Sequence, residues 1–316
     1  MLMQIRSSHV FQAAVFAALF VLIGWRDINP YGFSDLEAYR AGFQSQWYLF
    51  ELLNTSPIEF FLGEGLWVRL FDTLHGMVGD IDAAFTIVSL TSVFLIGLFV
   101  VKRSGSAWYL LFLFNPAFVE LTLSQIRSGL ACALFWSATL ISHRPLKIAL
   151  LVIAAAIHTS FFLFGLFYLA YVVLENRRIL DNISRNAMAI FVAFIVIGVA
   201  ITSIRVTALS AINDHRALYV LDHTSGILLS VAWLSFAVTF MMFRNDKKMG
   251  FEPIFYIFCA SMALASAVMD LYGSRFSALA IPALAVMAAG LAPQYRFIYI
   301  FQFAFFTAIY FYYWLV

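Results

Sequence analysis

Long apolar runs recur from one end of this 316-residue chain to the other. Hydrophobic residues make up 63% of the chain and charged residues only 11%, against about 25% charged residues in a soluble domain. Repeated apolar runs predict membrane helices, because backbone polar groups inside a bilayer must be satisfied within the protein. We therefore expect an all-α polytopic membrane protein, a single integral membrane domain over residues 1–316 with about 11 transmembrane or partial membrane helices. The runs are 10–25, 83–101, 106–119, 128–142, 146–157, 159–174, 187–204, 226–243, 251–269, 276–292 and 297–315.

Basic residues predict the orientation of these helices. With the N-terminus inside, double-basic pairs such as Lys102-Arg103 fall in the cytoplasm, as the positive-inside bias requires. Seven arginines still fall on the outer face, some at the ends of apolar segments. Three of them, Arg26, Arg127 and Arg275, lie at or near such ends. Cations held there act against the insertion bias, so we interpret these three as binding an anion, and the usual anion at a membrane surface is phosphate. The seven are Arg26, Arg40, Arg69, Arg127, Arg205, Arg216 and Arg275.

Two outer loops follow from this topology. The longer one, residues 26–82, contains an amphipathic stretch at 58–71, which predicts a helix on the outer membrane–water interface. The second runs over residues 205–225.

Arg127 is the strongest candidate for anion binding. It follows Gln125 and opens the helix that returns to the cytoplasm. Backbone NH groups at a helix N-terminus are unpaired, and the helix dipole adds positive character there. An arginine at such a position suits a diphosphate. The alternative is an interfacial arginine that extends to lipid phosphate.

His158 separates two apolar runs that together are about 27 residues long. A turn at His158 would place it near the outer face, beside Arg127. The alternative is one long helix with a buried, hydrogen-bonded His158. That reading would put the pair Arg177-Arg178 outside, against the positive-inside bias.

Three weaker candidates come from short outer segments. Arg26 follows the first helix, and the i,i+4 spacing of Asp35 and Tyr39 predicts that they share one face of a short helix. By spacing alone, Ser34 or Asp35 as a helix cap and Tyr39 as an interfacial aromatic explain this pair better. Arg275 starts a helix after a tight turn, where it could equally pair with Asp270.

Several chemistries have no motif in the sequence. It has no GxxxxGK[ST] loop, and no His-Glu-x-x-His or Cys-x-x-Cys that would indicate a metal site. Asp80-Ile-Asp82 has the letters of an acidic metal motif but stands at the start of a helix. Cys132 and Cys259 lie inside apolar runs and are interpreted as packing residues. We therefore expect no metal, no cofactor and no nucleic-acid partner.

In their order along the chain, these segments resemble the EpsG family of membrane polysaccharide polymerases, which is related in role to Wzy-type O-antigen polymerases. One departure is Ser128, which follows Arg127 where the family pattern has Gln. The matching segments are Gly24-Trp-Arg26, Asp35 with Tyr39, Gln125-Ile-Arg127-Ser-Gly-Leu-Ala, Ile153-Ala-Ala-Ala-Ile-His158-Thr-Ser160, and Tyr272-Gly-Ser-Arg275-Phe.

The resemblance implies a GT-C-like glycosyltransferase in the bacterial inner membrane with its site facing the periplasm or exterior. The implied substrate is a polyprenyl-diphosphate-linked oligosaccharide, and the other partners are membrane lipid and a chain-length regulator protein. It implies His158 or Asp35 as the base and Arg127 as the main cation for the diphosphate. Substrate-binding roles are implied for Arg26, Tyr39, Gln125 and Arg275.

Three other functions are compatible with a chain of this kind. An O-antigen ligase would use similar chemistry with a different acceptor. A transporter or flippase of lipid-linked sugars would favour repeated halves and charges at the bilayer midplane, and neither is visible. A structural membrane subunit would leave the outer arginines and His158 unexplained.

Overall fold

The computed structural model describes residues 6–29, 32–44, 60–61, 64–176, 192–201, 226–244, 250–268 and 273–315. These residues form helices and turns, with no strand among them. The chain divides into two compact units, residues 1–170 with 310–316 and residues 171–309. The helices are α1 (Ser7–Leu22), α2 (Trp25–Ile28), α3 (Ser34–Gln44), α4 (Gly65–Val78), α5 (Ile81–Ser104), α6 (Pro116–Val119), α7 (Ile126–Leu140), α8 (Arg144–Ile157), α9 (Ser160–Asn176), α10 (Val192–Ile201), α11 (Ile227–Phe243), α12 (Phe251–Val268), α13 (Ser274–Ala289) and α14 (Pro293–Leu315).

Helix length decides which described segments can cross a membrane. Three helices, α5, α12 and α14, are long and apolar enough, or four if a bent pair over residues 107–124 is one span. The shorter apolar helices have 10–17 residues, fewer than the about 20 that a full crossing needs. The helical membrane class is therefore confirmed, whereas about 11 crossings and a GT-C-like arrangement stay predictions.

In the first unit, α5 packs between α1 and α7. The α1–α5 contact is close because Gly97 on α5 faces Phe16 and Ala13 on α1. On the other side of α5, the ring of Phe99 lies 4.4 Å from the ring of Trp136 on α7. These buried contacts hold α5 and α7 together and thereby fix the positions of the residues at their ends.

The predicted run 106–119 is not one helix. A 3₁₀ helix over Ala107–Leu113 ends at Phe114, and the next segment, Pro116–Ser124, is bent from it by 83°. Asn115 causes the new start, because its side chain accepts a hydrogen bond from the Ala117 amide and proline follows it. The run therefore forms a bent pair of short helices, of the kind found in broken spans and re-entrant loops, rather than one straight helix.

The second segment of this bent pair ends in a π-helical turn, Glu120–Ser124. The indole of Trp314 donates a 2.8 Å hydrogen bond to the Glu120 carboxylate and ties the end of α14 to this turn. Gly129 on α7 lies against the turn so closely that a Cβ there would be 2.6 Å from the Leu121 carbonyl oxygen. The turn thereby determines where α7 begins.

Within the stretch 58–71, predicted as one amphipathic helix, the structure has helical residues at 60–61 and then α4, which runs from Gly65 to Val78. Residues 58, 59, 62 and 63 lie outside the described residues. Its apolar face includes Trp67 and Phe71, and the Phe71 ring stacks on Phe85 of α5 at 4.7 Å. This face packs against α5 and α8, and its burial there stabilises the helix. Whether α4 lies at a membrane interface stays a prediction.

The second unit is built on α12, which is buried along almost its whole length. It packs against α11 and α13, and the Tyr256 hydroxyl donates a 2.6 Å hydrogen bond to the Trp233 carbonyl on α11. Gly273 precedes α13 where a Cβ would lie 2.7 Å from the Ala263 carbonyl oxygen. The predicted loop at 205–225 lies outside the described residues.

Candidate functional site

A buried carboxylate, Glu64, joins two of the predicted site residues in the first unit. Its Oε2 lies 2.5 Å from Nη1 of Arg127, and its Oε1 lies 2.9 Å from Nδ1 of His158. The Glu64 side chain is only 3% exposed, whereas those of Arg127 and His158 are 25% and 18% exposed. We call these three residues the buried cluster.

Each member of the buried cluster lies where a helix begins or ends. Glu64 precedes α4 and has a left-handed backbone conformation, with φ 63°, which is uncommon outside glycine. Arg127 is the second residue of α7, directly after the π-turn. His158 ends α8, and α9 begins at Ser160. The alternative of one long helix through His158 is therefore wrong, and a break at His158 is confirmed.

The break at His158 also supplies hydrogen bonds to the carboxylate. The Thr159 amide donates to Glu64 Oε1 at 3.0 Å, and the Thr159 hydroxyl donates to the same oxygen at 3.3 Å. Amides at a helix start have no intrahelical partner, so Glu64 satisfies one of them. The carboxylate is held by donors from two separate parts of the chain.

The surroundings of Glu64 keep it ionised. Burial alone raises its pKa, but the hydrogen bond from His158, the charges of His158 and Arg127, and the Thr159 amide together lower it to about 2. Charged partners and hydrogen bonds to the ionised form outweigh desolvation here. Glu64 is thus a buried anion throughout the physiological pH range.

Arg127 also contacts an aromatic side chain. Its guanidinium lies 5.5 Å from the ring centroid of Tyr39 on α3, in cation–π range. The Tyr39 ring is in turn 6.1 Å from the ring of Trp67 on α4. Nε of Arg127 is buried with no hydrogen-bond partner among the described residues. Because the Arg127 side chain is partly exposed, the accessible part of its guanidinium is suited to receive an anionic ligand.

The other predicted site residues of the first unit are Asp35, Gln125 and Arg26. Asp35 is half-buried on α3, one turn before Tyr39, and the predicted short helix is confirmed. Gln125 is buried, and its backbone links the π-turn to α7 by accepting a hydrogen bond from the Gly129 amide at 2.9 Å. Arg26 is half-exposed on α2, and its ion pair is with Asp82 at 3.9 Å.

Arg275 lies in the second unit. It is exposed in the first turn of α13, so the predicted helix start is confirmed. Asp270, its predicted alternative partner, lies outside the described residues.

A second group of charges occupies the surface of the first unit. Arg40 on α3 forms ion pairs with Glu37 and with Asp82 on α5, and Arg26 approaches the same Asp82. We call these four residues the surface cluster. The nearby Asp80 caps α5 by accepting a hydrogen bond from the Ala83 amide at 3.0 Å. Both carboxylates of Asp80-Ile-Asp82 thus have structural partners.

Glu64 was missed by sequence reasoning, although it lies within the stretch read as an amphipathic helix. One signal was present: Glu64 is a carboxylate between two glycines, Gly63 and Gly65, in an otherwise apolar segment. Glycines flanking a polar residue mark a backbone turn rather than a continuous helix. In the described residues, no group of three or more His, Cys, Asp or Glu side chains is arranged to hold a metal ion.

The apolar helices define a helical membrane protein, and the buried cluster lies where three of its helices begin or end. A family model described as the EpsG family matches residues 9–316, so the chain belongs to the EpsG family. No curated protein and no solved structure matches the chain. Family membership places the protein in polysaccharide biosynthesis as a polymerase of the glycosyltransferase type.

Proposed function

We propose that this protein joins polyprenyl-diphosphate-linked oligosaccharide repeat units into longer chains, by glycosyl transfer that needs no metal ion. The observation that carries the proposal is the joining of Arg127 and His158 through one buried carboxylate. This pairing puts a cation suited to a diphosphate beside a group that can accept a proton. A membrane polysaccharide polymerase requires both, because its leaving group is an anion and its nucleophile is a hydroxyl.

In the proposed reaction, an acceptor hydroxyl attacks the anomeric carbon of the donor sugar. A new carbon–oxygen bond forms, and the bond to the diphosphate oxygen breaks with its electron pair. Polyprenyl diphosphate leaves as an anion that needs charge stabilisation more than a proton. Arg127 at the start of α7 supplies that stabilisation. Arg26 and Arg275 are proposed as further cations for the donor.

The hydroxyl proton goes to His158. An imidazole has an unperturbed pKa near neutrality, which suits a general base. Asp35 and Tyr39, on one face of α3, are proposed to orient the acceptor sugar, with Asp35 as the alternative base. Gln125, at the turn before Arg127, is proposed to bind the donor.

The location of the site completes the proposal. Arg127 and His158 lie at helix ends, and the proposal puts these ends at the membrane surface, where a head group is accessible while its polyprenyl tail stays in lipid. We propose that these ends face the exterior of the bacterial inner membrane. Polymer length would then depend on a chain-length regulator protein.

The testing experiment uses the full-length protein in nanodiscs with lipid-linked repeat units from its own host, with and without EDTA. We expect a ladder of longer lipid-linked chains in both conditions. Arg127→Ala should abolish the ladder, whereas Arg69→Ala, which removes an exposed arginine on α4, should not. Loss of the ladder in EDTA would overturn the metal-independent reaction. No ladder from a well-folded protein would overturn the polymerase proposal in favour of a ligase or a transporter.

A further inference from the structure

We propose that Glu64 is a positioning residue that couples donor binding at Arg127 to proton acceptance at His158. This inference rests on the proposed function and deepens it. It assigns a role to a side chain that touches neither substrate in the proposed reaction.

The two oxygens of Glu64 serve different partners. Oε1 accepts hydrogen bonds from the Thr159 amide and hydroxyl and lies 2.9 Å from His158 Nδ1. Oε2 faces Arg127. One carboxylate therefore connects the start of α7 with the turn between α8 and α9, and it is the direct link between the proposed phosphate-binding residue and the proposed base.

The contact with Oε1 determines the tautomer of His158. Because an ionised carboxylate only accepts hydrogen bonds, Nδ1 must carry the hydrogen. In neutral His158 the proton-accepting lone pair is then on Nε2. When Nε2 takes a proton, the buried anion stabilises the resulting imidazolium, as the carboxylate of a catalytic triad does. Without this contact, His158 could adopt the other tautomer, in which Nε2 carries the hydrogen and cannot accept a proton.

The contact with Oε2 makes Glu64 compete with the donor. Glu64 and Arg127 carry opposite unit charges, so with neutral His158 the buried cluster has no net charge. The diphosphate can approach Arg127 because this side chain is 25% exposed, whereas Glu64 is 3% exposed. When the diphosphate pairs with Arg127, the guanidinium interacts less strongly with Glu64. The Glu64 carboxylate then interacts more strongly with His158. Donor binding therefore makes His158 a stronger base.

The charged and titratable groups around the carboxylate come from three other elements. Arg127 lies on α7 and His158 at the α8–α9 turn, while Tyr39 on α3 lies across the guanidinium of Arg127. Of these groups, only His158 has an ordinary pKa within the range of a neutral-pH rate profile. The acid limb of that profile should therefore report on His158.

The test compares Glu64→Gln with wild type in the polymerisation assay. Loss of the negative charge should lower kcat about 100-fold, and leave KM for the donor unchanged or lower, because Arg127 has lost its competing anion. The acid limb of the pH–rate profile should move to lower pH by about one unit, because the imidazolium has lost its counter-ion. A residue that only supports the fold would raise KM and leave the pH profile in place.

Three further variants keep the test decisive. Glu64→Asp keeps the charge, so it should retain the wild-type acid limb even if its shorter side chain lowers kcat, and it decides the question if Glu64→Gln does not fold. Asp72→Asn removes an exposed carboxylate from α4 and should match wild type. A double variant, Glu64→Gln with His158→Gln, should be no slower than His158→Gln alone if Glu64 acts through His158.

The outcomes separate the two proposals. If wild type polymerises and Glu64→Gln equals it in kcat, KM and pH profile, the role of Glu64 is overturned while the polymerase remains. The same holds if the double variant is additive. If folded wild type makes no chains, the proposed function fails, and the role of Glu64 fails with it.

Discussion

The buried cluster and the surface cluster contain the same kinds of groups in different surroundings. Both pair arginine with carboxylate, and both join helices of the first unit. The carboxylate of the buried cluster, Glu64, is 3% exposed, whereas Asp82 of the surface cluster is 54% exposed. The partners of Glu64 hold the pKa of this buried carboxyl at about 2, well below its ordinary value.

This contrast teaches that burial, rather than ion-pair geometry, distinguishes a site from a surface contact. Exposed pairs contribute about 0–1 kcal/mol because water and salt screen them. A buried carboxylate must be compensated by its partners, and removing one partner leaves an uncompensated charge. Substitutions in the buried cluster should therefore change the stability of the fold strongly, and those in the surface cluster weakly.

The largest difference should appear in activity. His158→Gln removes the proposed proton acceptor, and we expect the polymerisation rate to fall by about 10²–10⁴-fold. Arg40→Gln breaks the surface cluster and should change the rate by less than about twofold. Initial rates of chain extension by the purified variants measure both. Equal losses in the two variants would contradict a special role for the buried cluster.

Sequence reasoning predicted the helical membrane class, the helix start at Arg127 and the break at His158. These features depend on local signals: apolar runs, basic flanks and a polar residue between two apolar segments. It also singled out Arg127, His158 and Tyr39, which the structure brings into one region. The proximity of His158 to Arg127 followed from the predicted topology, because a turn at His158 puts both residues at the outer face, whereas a shared role for Tyr39 was reached only through the family resemblance.

Sequence reasoning missed Glu64 because its role depends on tertiary contacts. Its partners are 63 and 94 residues away along the chain, so no local periodicity connects them. The break within 106–119 was missed for a related reason. Asn115 and Pro116 were read as part of an apolar run, although capping by Asn115 starts a new helix there. The position of α4 depends on packing against α5, which hydrophobic patterning does not determine.

The second difference concerns stability at low pH. The folded-state pKa of Glu64 is about 2, below its ordinary value of 4.5. A carboxyl group with a depressed pKa stabilises the fold above its ordinary pKa, and this contribution is lost as the pH falls toward the folded value. The contribution is about 3 kcal/mol. Thermal unfolding in detergent should show a fall in wild-type stability between pH 4.5 and about 2.

Glu64→Gln isolates this contribution, because it cannot titrate. It should be less stable than wild type at neutral pH and should lose less stability on acidification. Asp82→Asn changes a carboxylate of the surface cluster and should follow the wild-type curve. A Glu64→Gln curve parallel to that of wild type would show that Glu64 is not a paired anion in the fold.

A third difference concerns the backbone that supports the buried cluster. A Cβ at Gly129 would lie 2.6 Å from the Leu121 carbonyl oxygen and 3.1 Å from the Thr122 Cα. Gly129→Ala must therefore push α7 away from the π-turn, at a cost of about 1–3 kcal/mol, and displace Arg127. Gly76 is also helical, but no atom lies within 4 Å of a Cβ built there. Gly76→Ala should stabilise the protein by about 0.5–1 kcal/mol.

Thermal unfolding and the polymerisation assay together test this pair of glycine variants. We expect Gly129→Ala to lose both stability and activity, while Gly76→Ala keeps full activity. If Gly129→Ala were as stable and active as wild type, the close approach of α7 to the π-turn would not determine the position of Arg127.

The smallest effect should be the salt dependence of the surface cluster. Asp82→Asn removes the ion pairs that Arg40 and Arg26 make with α5, and at low ionic strength it should destabilise the protein by less than about 1 kcal/mol. This effect should vanish near 1 M salt, where the screening length is about 3 Å. The destabilisation caused by Glu64→Gln should persist in the same salt, because ions do not enter a site that is 3% exposed. If both effects disappeared together, Glu64 would be open to solvent, and the distinction between the two clusters would be lost.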